Sequence, residues 1–231
     1  MSQDEIGTVI VTGAASGLGR AIAEEVVARG GKAVSLDLRE SEAEGVESEL
    51  VDLADTGAAE AATRSAIERH GGIDAVVAAA GTDSCGPLER ISAADWNRVI
   101  QVNLLGVAAV IRAALPDLER RQGRVVTVAS TLGTRALPDA TAYCASKFGV
   151  VGFTRALAAE TAGRIGVTLL MPGGMETAFF DGREEKYKPP ADANLAPPAE
   201  VAEAVLFALT RPAGVELREA LVCPSTESSW P

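Results

Sequence analysis

The sequence predicts an α/β fold in which one parallel sheet carries helices on both faces. Three apolar runs, IGTVIVTG (6–13), IDAVVAAAG (73–81) and GVTLLMP (166–172), lack the alternation of polar and apolar residues typical of half-exposed strands, so we expect strands buried on both sides. Helical patterns separate such runs along the chain, which favours parallel strands joined by helical crossovers. No Pro- or Ser-rich linker or internal repeat precedes residues 173–198, and we expect one domain over residues 1–231.

The predicted elements alternate in chain order. Strands are expected at 6–13, 32–37, near Leu50 and Val51, and at 73–81, 124–130, 166–172 and 220–225. Helices are expected at about 17–29, 56–70, 92–121, 140–162 and 198–210. Glycine pairs follow the first two helices, where a residue with positive φ commonly ends a helix. A short acidic connection (39–49) precedes the third strand, and a less regular segment (173–197) follows the sixth.

The composition indicates a globular protein and argues against two classes of partner. Of the 231 residues 47% are apolar and 23% are charged, and the net charge is −11. Nucleic acid and anionic membrane surfaces both require clustered Lys and Arg, so neither is expected as a partner. The amino-terminal MSQDEIGTVIVTG predicts no signal peptide, and no apolar run approaches the roughly 18 residues of a membrane span.

Cysteine and histidine usage indicates the compartment and argues against a metal. Cys85, Cys144 and Cys223 are odd in number and far apart, which favours a reducing, cytoplasmic environment over disulfides. With one histidine and no C-x-x-C motif, no metal site is expected. Cys144 stands next to Tyr143, but on a helix it points about 100° away, and we interpret it as a packing residue.

The turn after the first strand, TGAASGLG (12–19), predicts a phosphate-binding loop. Gly13, Gly17 and Gly19 let the backbone turn tightly into a helix, whose free N–H groups and dipole favour an anion. The G-x-x-x-G-x-G spacing is a relative of the dinucleotide fingerprint, and a simple tight turn is the alternative. Asp37 ends the second strand 18 residues after Gly19, where an acid binds the adenosine ribose of NAD; an ordinary turn-starting Asp is the alternative.

A second motif, AYCASKFGV (142–150), places Tyr143 and Lys147 four positions apart on a predicted helix. Residues i and i+4 share a face, so both polar ends point into the same space. A phenol has an ordinary pKa near ~10, and a nearby ammonium favours the phenolate. We therefore expect Lys147 to lower the pKa of Tyr143 into the range of a proton acceptor. The alternative is a helix surface on which Tyr143 packs and Lys147 is solvated.

These two motifs together resemble the short-chain dehydrogenase/reductase family, and further elements of the family follow at its spacing. Asp52 in VDL matches the acid that holds the adenine ring, and Asn103 in VNLLG matches the active-site asparagine. Ser130, thirteen residues before Tyr143, matches the catalytic serine. PGGMET (172–177) matches the PG-x-x-x-T segment beside the nicotinamide, with Thr177 as its hydroxyl.

The resemblance covers residues 6 to about 177. The chain departs from the family pattern at AAAG (78–81), where the family usually has NNAG, in a short second helix, and in its C-terminal CPSTESSWP. The missing asparagine removes a side chain from the turn after the fourth strand.

The resemblance implies a Rossmann-type doubly wound sheet and an NAD(P)-dependent oxidoreductase that interconverts a secondary alcohol and a ketone. Tyr143 would exchange the proton, Ser130 would hold the reacting oxygen, Lys147 would lower the tyrosine pKa and bind the nicotinamide ribose, and Asn103 would keep a water linked to Lys147. The implied cofactor-binding residues are Gly13, Ser16, Gly17, Leu18, Gly19, Asp37, Asp52, Leu53, Ala80, Gly81, Tyr143, Lys147, Pro172, Gly173, Met175 and Thr177.

NAD is expected in preference to NADP. The Asp37 carboxylate would repel a 2′-phosphate, and Ser16 stands where NADP-preferring relatives carry a base, whereas the nearby Arg39 works against this preference. The expected substrate is a small or medium alcohol or ketone with an apolar body. Residues 178–197 would form a mobile lid over it, with apolar surface from Phe179, Phe180 and Tyr187.

A homo-oligomer, tetramer or dimer, is expected, because family members commonly assemble through the helices placed here at 92–121 and 140–162 and through the last helix and strand. Trp230 near the C-terminus would be costly to leave in water. We therefore expect the tail after Ser225 to lie against a neighbouring subunit, with packing on its own chain as the alternative.

Two other functions remain open at this point. The first is a dinucleotide-binding regulator that keeps the fold without turnover, although such a binder has no need of Ser130 and Tyr143. The second is an NAD-using epimerase or dehydratase, for which 231 residues leave little room for a larger substrate domain.

Overall fold

The computed structural model describes residues 6–230, so the predicted polar lead before Ile6 and the last residue, Pro231, lie outside the described residues. Within this range one sheet runs in the order β3-β2-β1-β4-β5-β6-β7, and every neighbouring pair is parallel. Its strands are β1 (Thr8–Thr12), β2 (Lys32–Asp37), β3 (Val46–Leu50), β4 (Ala75–Ala78), β5 (Arg124–Val128), β6 (Gly166–Pro172) and β7 (Glu219–Val222). The predicted α/β class with a parallel sheet is confirmed.

Helices connect the strands and cover both faces of the sheet. They are α1 (Gly17–Ala28), α2 (Thr56–His70), α3 (Ala93–Ile100), α4 (Val107–Arg121), α5 (Thr141–Glu160) and α6 (Pro198–Leu209). Helices α1 and α6 pack against each other on one face, and α2, α4 and α5 cover the other. Strands β1, β4 and β6 are buried along their whole length, which explains their uninterrupted apolar sequences.

The predicted boundaries need three corrections. The third strand begins at Val46, inside the segment expected to be a connection, because its pairing with β2 runs from Ala33 to Asp37 and so requires five residues. The last strand is shorter than expected and ends at Val222. The helix expected at 92–121 is interrupted by a π-helical turn, Gln101–Gly106, between α3 and α4.

The stretch Ala93–Arg121 is long and apolar enough to cross a membrane by length and composition, although no such segment was expected. Half of its apolar window is buried in the protein. Ala109, Val110 and Ala114 of α4 are fully buried in the cluster that also contains sheet residues Ile10 and Val76. This stretch packs as a core helix against the sheet.

The C-terminal tail folds onto its own chain. Glu227 accepts a hydrogen bond from the Gly174 N–H at 2.7 Å, and the Ser229 hydroxyl lies 2.7 Å from that of Thr131. These residues thus pack on their own chain, the alternative considered above, because hydrogen-bond partners are available beside the end of β6. Contact of the tail with a neighbouring subunit stays a prediction.

Candidate active site

The site lies at the carboxyl ends of the strands, where the strand order reverses between β1 and β4. In open parallel sheets this reversal opens a crevice for ligands. Here the crevice is a cavity of about 740 Å³, within the usual range for a small-molecule site. Its walls include every residue predicted to bind a cofactor, and also Ser130. Asn103 is the one predicted site residue that does not line it.

The glycine loop fits tightly against the neighbouring strand end. Gly13 has φ of +76°, and a Cβ there would lie 2.7 Å from the Ala80 Cα, so only glycine is accommodated. The Thr12 hydroxyl accepts a hydrogen bond from the Ala80 N–H at 3.0 Å, which ties the turn after β4 to the loop after β1. The turn at Ala80 is therefore held by a backbone hydrogen bond, without a side chain from the asparagine that is missing from the family pattern.

The N-terminus of α1 opens into the cavity. Ser16 is the N-cap residue in extended conformation, and among the described contacts its side chain does not cap the helix. The first N–H groups of α1 are therefore available to an anion, supported by the helix dipole. A loop that excludes a Cβ at Gly13 and leaves these donors free fits the pyrophosphate of a dinucleotide.

Two carboxylates line the cavity near the ends of β2 and β3. Asp37 accepts hydrogen bonds from the N–H groups of Ala15, at 3.0 Å, and Arg39, at 3.2 Å, so its carboxylate is bound to the glycine loop itself. Asp52 is paired with Arg98 at 2.7 Å, and this hydrogen bond lowers the pKa of Asp52. Arg98, on α3, also lines the cavity and was not identified from the sequence.

Asn103 acts on the backbone of the site. It is fully buried in the π-helical turn, and it exchanges two hydrogen bonds with Thr82, at 2.8 and 2.9 Å, while donating to the Ser146 hydroxyl at 3.0 Å. These contacts tie the segment after β4 to helix α5. Single π turns occur often at functional sites, and this one lets the Asn103 side chain reach Thr82.

Ser130, Tyr143 and Lys147 come together at the other end of the cavity. Ser130 follows β5, and Tyr143 and Lys147 share one face of α5, as their spacing predicted. The Ser130 and Tyr143 side chains both line this end of the cavity. The Lys147 ammonium lies 5.6 Å from the centre of the tyrosine ring and donates to the Val128 carbonyl at 2.8 Å.

The pKa of Tyr143 departs from the expectation. Burial raises it above its ordinary value, and the Ser130 hydrogen bond lowers it by a smaller amount. Lys147 does not offset the burial, because its ammonium is bound to Val128 and is itself desolvated, which lowers the pKa of Lys147 to about 8. The site thus holds a neutral phenol beside a buried cation whose charge is easily lost.

The predicted lid is folded over the tyrosine. The Phe179 ring lies 5.7 Å from that of Tyr143, and the Arg183 guanidinium stacks on Phe179 at 4.7 Å. Arg183 pairs with Asp83 at 3.0 Å, although the angle falls outside hydrogen-bond geometry, and both side chains are nearly buried. The Tyr187 hydroxyl donates to Asp139 at 2.9 Å. Three side-chain contacts therefore connect the lid to the rest of the protein.

We expect the lid to remain more mobile than the sheet. Amides of residues 180–188 should exchange hydrogen faster than those of β1 and β5 without ligand, because the lid has few buried apolar contacts. Hydrogen exchange followed by mass spectrometry checks this. Equally slow exchange in both regions would show that these three contacts hold the lid closed.

Several residues of the cavity were missed by sequence reasoning. Asp83, Arg183 and Glu227 all carry charge at the substrate end, and they come from a loop, the lid and the C-terminal tail. Their separation in sequence left no local spacing by which to recognise them. The departure of the tail from the family pattern was the one available signal.

This architecture and this site define a dinucleotide-binding oxidoreductase of the parallel-sheet type, and comparison with known proteins agrees. The sequence profile of the family described as short chain dehydrogenase matches residues 7–188. The chain therefore belongs to the short-chain dehydrogenase/reductase family.

Named relatives have several activities. The chain is 38% identical over 167 residues to the D-threitol dehydrogenase of Mycolicibacterium smegmatis, a match that covers 67% of this chain and 64% of that protein. It is 35% identical over 216 residues to a 3-oxoacyl-acyl-carrier-protein reductase of Thermotoga maritima, covering 86% and 88% of the two chains.

Solved structures have the same fold. The aldohexose dehydrogenase of Thermoplasma acidophilum superposes with a TM-score of 0.87 at 27% identity, covering 95% of this chain and 94% of the other. The alcohol dehydrogenase of the archaeon Thermococcus sibiricus, complexed with 5-hydroxy-NADP, superposes with a TM-score of 0.82 at 27% identity, covering 94% and 95%.

Proposed function

We propose that the protein is an NAD-dependent oxidoreductase that interconverts a secondary alcohol and a ketone. The observation that carries this proposal is the placement of Ser130, Tyr143 and Lys147 at one end of a cavity whose other end holds the glycine loop and Asp37. A dinucleotide bound along this cavity would accept or supply the hydride. The protein supplies position and proton transfer.

In the proposed mechanism Ser130 and Tyr143 hold the substrate oxygen between their hydroxyl groups. Tyr143 takes the proton from an alcohol, or gives it to a carbonyl, while the Ser130 hydroxyl donates a hydrogen bond to the substrate oxygen. Taking that proton requires the phenolate, which the Lys147 ammonium, 5.6 Å from the ring centre, would favour only if it leaves the Val128 carbonyl. Asn103 acts as a positioning residue, since it fixes the segment after β4 against α5.

Measuring NADH formation with a panel of secondary alcohols tests this function. Turnover with at least one of them supports an enzyme, whereas NAD binding without any turnover would favour a dinucleotide-binding regulator. An NAD-using epimerase or dehydratase would convert substrate with no net change in NADH. The hydroxyl set of Ser130 and Tyr143 favours the dehydrogenase.

The Asp37 carboxylate supports NAD over NADP, since it lines the cavity and would meet a 2′-phosphate with like charge. Asp37→Asn keeps an acceptor for the Ala15 N–H but removes the charge. We expect the ratio of catalytic efficiency with NADP to that with NAD to rise by about tenfold or more. Steady-state kinetics with both cofactors measures this ratio.

Glu40→Gln is the matched control, because Glu40 is exposed on the same connection and lies outside the cavity. Its ratio should remain at the wild-type value. A wild-type enzyme that already uses NADP as well as NAD would overturn the assignment of Asp37.

We also propose that each chain forms one domain over residues 1–231, with a lid at 178–197. We propose that these chains assemble into a homo-oligomer in the cytoplasm. Large apolar side chains are exposed on the elements expected at the interfaces: Leu105 on the π-helical turn, Phe148 on α5 and Phe207 on α6, each between 46% and 49% exposed. Exposed apolar side chains at these positions would lose their contact with water in an assembly, which favours association. Light scattering on the purified protein distinguishes a dimer from a tetramer.

A further inference from the structure

The C-terminal tail forms part of the wall of the cavity. Residues 227–229 line it together with Thr131, which follows the catalytic Ser130, and Gly174, which follows β6. The tail therefore brings a carboxylate and two hydroxyls to the end of the cavity where the alcohol would react. Nothing in the local sequence of the tail predicted this position.

The Glu227 carboxylate is held in place by three donors. One oxygen accepts from the Gly174 N–H at 2.7 Å, and the other accepts from the N–H and hydroxyl of Ser229, at 3.0 and 2.7 Å. A Cβ on Gly173 would lie 2.4 Å from this carboxylate, so the glycine leaves the space that the tail occupies. A carboxylate has about four acceptor positions, and these contacts use three of them.

The hydroxyl groups of Thr131, next to the catalytic Ser130, and of Ser229 connect to this carboxylate by hydrogen bonds. Because the Ser229 hydroxyl donates to Glu227, it accepts from the hydroxyl of Thr131, which lies 2.7 Å away. Burial opposes ionisation of Glu227, but the hydrogen bonds from Gly174 and Ser229 outweigh it and lower its pKa. The carboxylate is therefore ionised at neutral pH, and Glu227 lines the cavity with one acceptor position unused by the described contacts.

The other charges at this end are one ion pair and one cation that is held by a neutral carbonyl. Arg183 and Asp83 are paired with each other, and Lys147 is bound to the Val128 carbonyl. Glu227 is the charged group in this part of the described cavity whose partners are all neutral donors. The Glu227 carboxylate would repel an anionic substrate. An apolar substrate would remove water from the free acceptor position of this carboxylate and offer no hydrogen bond in return.

We propose that Glu227 is a specificity-determining residue that accepts a hydrogen bond from a second hydroxyl of the substrate, and that the substrate is therefore a neutral polyhydroxylated molecule, a polyol or sugar. This inference rests on the proposed function. It replaces the expectation of a purely apolar substrate body, while Phe179 and Phe180 still provide an apolar side of the cavity. Sites built to bind a substrate hydroxyl discriminate strongly against analogues that lack it.

The test compares four-carbon substrates that differ in one feature. We expect wild-type kcat/KM to fall in the order tetritol, vicinal butanediol, sec-butanol, with hydroxybutyrate lowest. In Glu227→Gln the advantage of the tetritol over sec-butanol should shrink by about 10- to 100-fold, the usual weight of a hydrogen bond to a charged group. Most of this change should come from a lower value for the tetritol.

Glu89→Gln is the control, because Glu89 is exposed and lies outside the cavity. In Glu227→Gln the NH2 group of the new amide meets one of the donors on Gly174 or Ser229, and this contact can displace the tail. Thermal unfolding of the variant and the kinetics of Ser229→Ala show whether displacement of the tail alone explains the effect. An equal loss for all four substrates, or a wild-type preference for sec-butanol or hydroxybutyrate, would overturn the inference and leave the proposed function standing.

A binding measurement separates failure of the inference from failure of the proposed function. If the wild type oxidises none of the alcohols, the proposed function fails, and calorimetry with the tetritol still tests Glu227. Binding to the wild type that weakens at least tenfold in Glu227→Gln supports the assignment. Equal binding to both proteins, or to neither, contradicts it.

Discussion

Tyr143→Phe should lower kcat by about 10²- to 10⁴-fold, the usual contribution of a positioned acid or base. The change removes the hydroxyl that exchanges the proton and keeps the ring that packs against Phe179, 5.7 Å away. None of the cofactor contacts proposed at the glycine loop or Asp37 is altered. Binding of NAD, measured by fluorescence or calorimetry, should therefore stay within about twofold of the wild type.

Tyr187→Phe is the matched control, because Tyr187 is the only other tyrosine of the chain. Its hydroxyl donates to Asp139 and belongs to the lid, so its loss should change kcat far less. If Tyr143→Phe kept near-normal turnover, the proton-transfer role of Tyr143 would be wrong. If it lost NAD binding as well, the phenol would have a structural role in the cofactor site.

The features that could be predicted from the sequence are those set by local spacing. The buried strands lack alternation, which indicates a parallel sheet, and the carboxyl ends of such strands necessarily meet at one edge. Gly13 follows β1 and Asp37 ends β2, so their convergence follows from the fold. Tyr143 and Lys147 share a helical face because they are four residues apart.

The features that could not be predicted depend on contacts between distant segments. Whether Lys147 shifts the pKa of Tyr143 depends on burial and on the Val128 carbonyl, which lies 19 residues before the lysine. The π-helical turn around Asn103 and the return of Glu227 to Gly174 likewise depend on partners elsewhere in the chain. Spacing predicts which residues share a face, but not how well each charge is solvated or paired.

Lys147→Met should have the second large effect, because it removes the buried cation beside Tyr143. We expect kcat to fall about 100-fold or more and NAD binding to weaken about tenfold, since the resemblance also assigns this ammonium to the nicotinamide ribose. Kinetics and calorimetry measure the two losses. Unchanged NAD binding would show that Lys147 does not contact the cofactor.

The same substitution should stabilise the fold near neutral pH. Burial lowers the pKa of Lys147 from 10.5 to about 8, so the unfolded chain holds this proton more tightly than the folded one. Below pH 8 the ammonium stays charged and buried, at a cost of about 3 kcal/mol, offset in part by its hydrogen bond to Val128. Methionine carries no such charge, and we expect the variant to be the more stable protein at pH 7.

The stabilisation should fade as the pH rises. Between the folded pKa of about 8 and the unfolded value of 10.5, the unfolded wild-type chain binds more protons than the folded one, so wild-type stability increases with pH. The advantage of Lys147→Met should therefore shrink by about 2 kcal/mol between pH 7 and pH 9.5. Denaturant unfolding of both proteins across this range measures the change, with Lys32→Met as the exposed-lysine control. A difference in stability that does not vary with pH would show that Lys147 titrates normally, and that its charge is solvated despite its position.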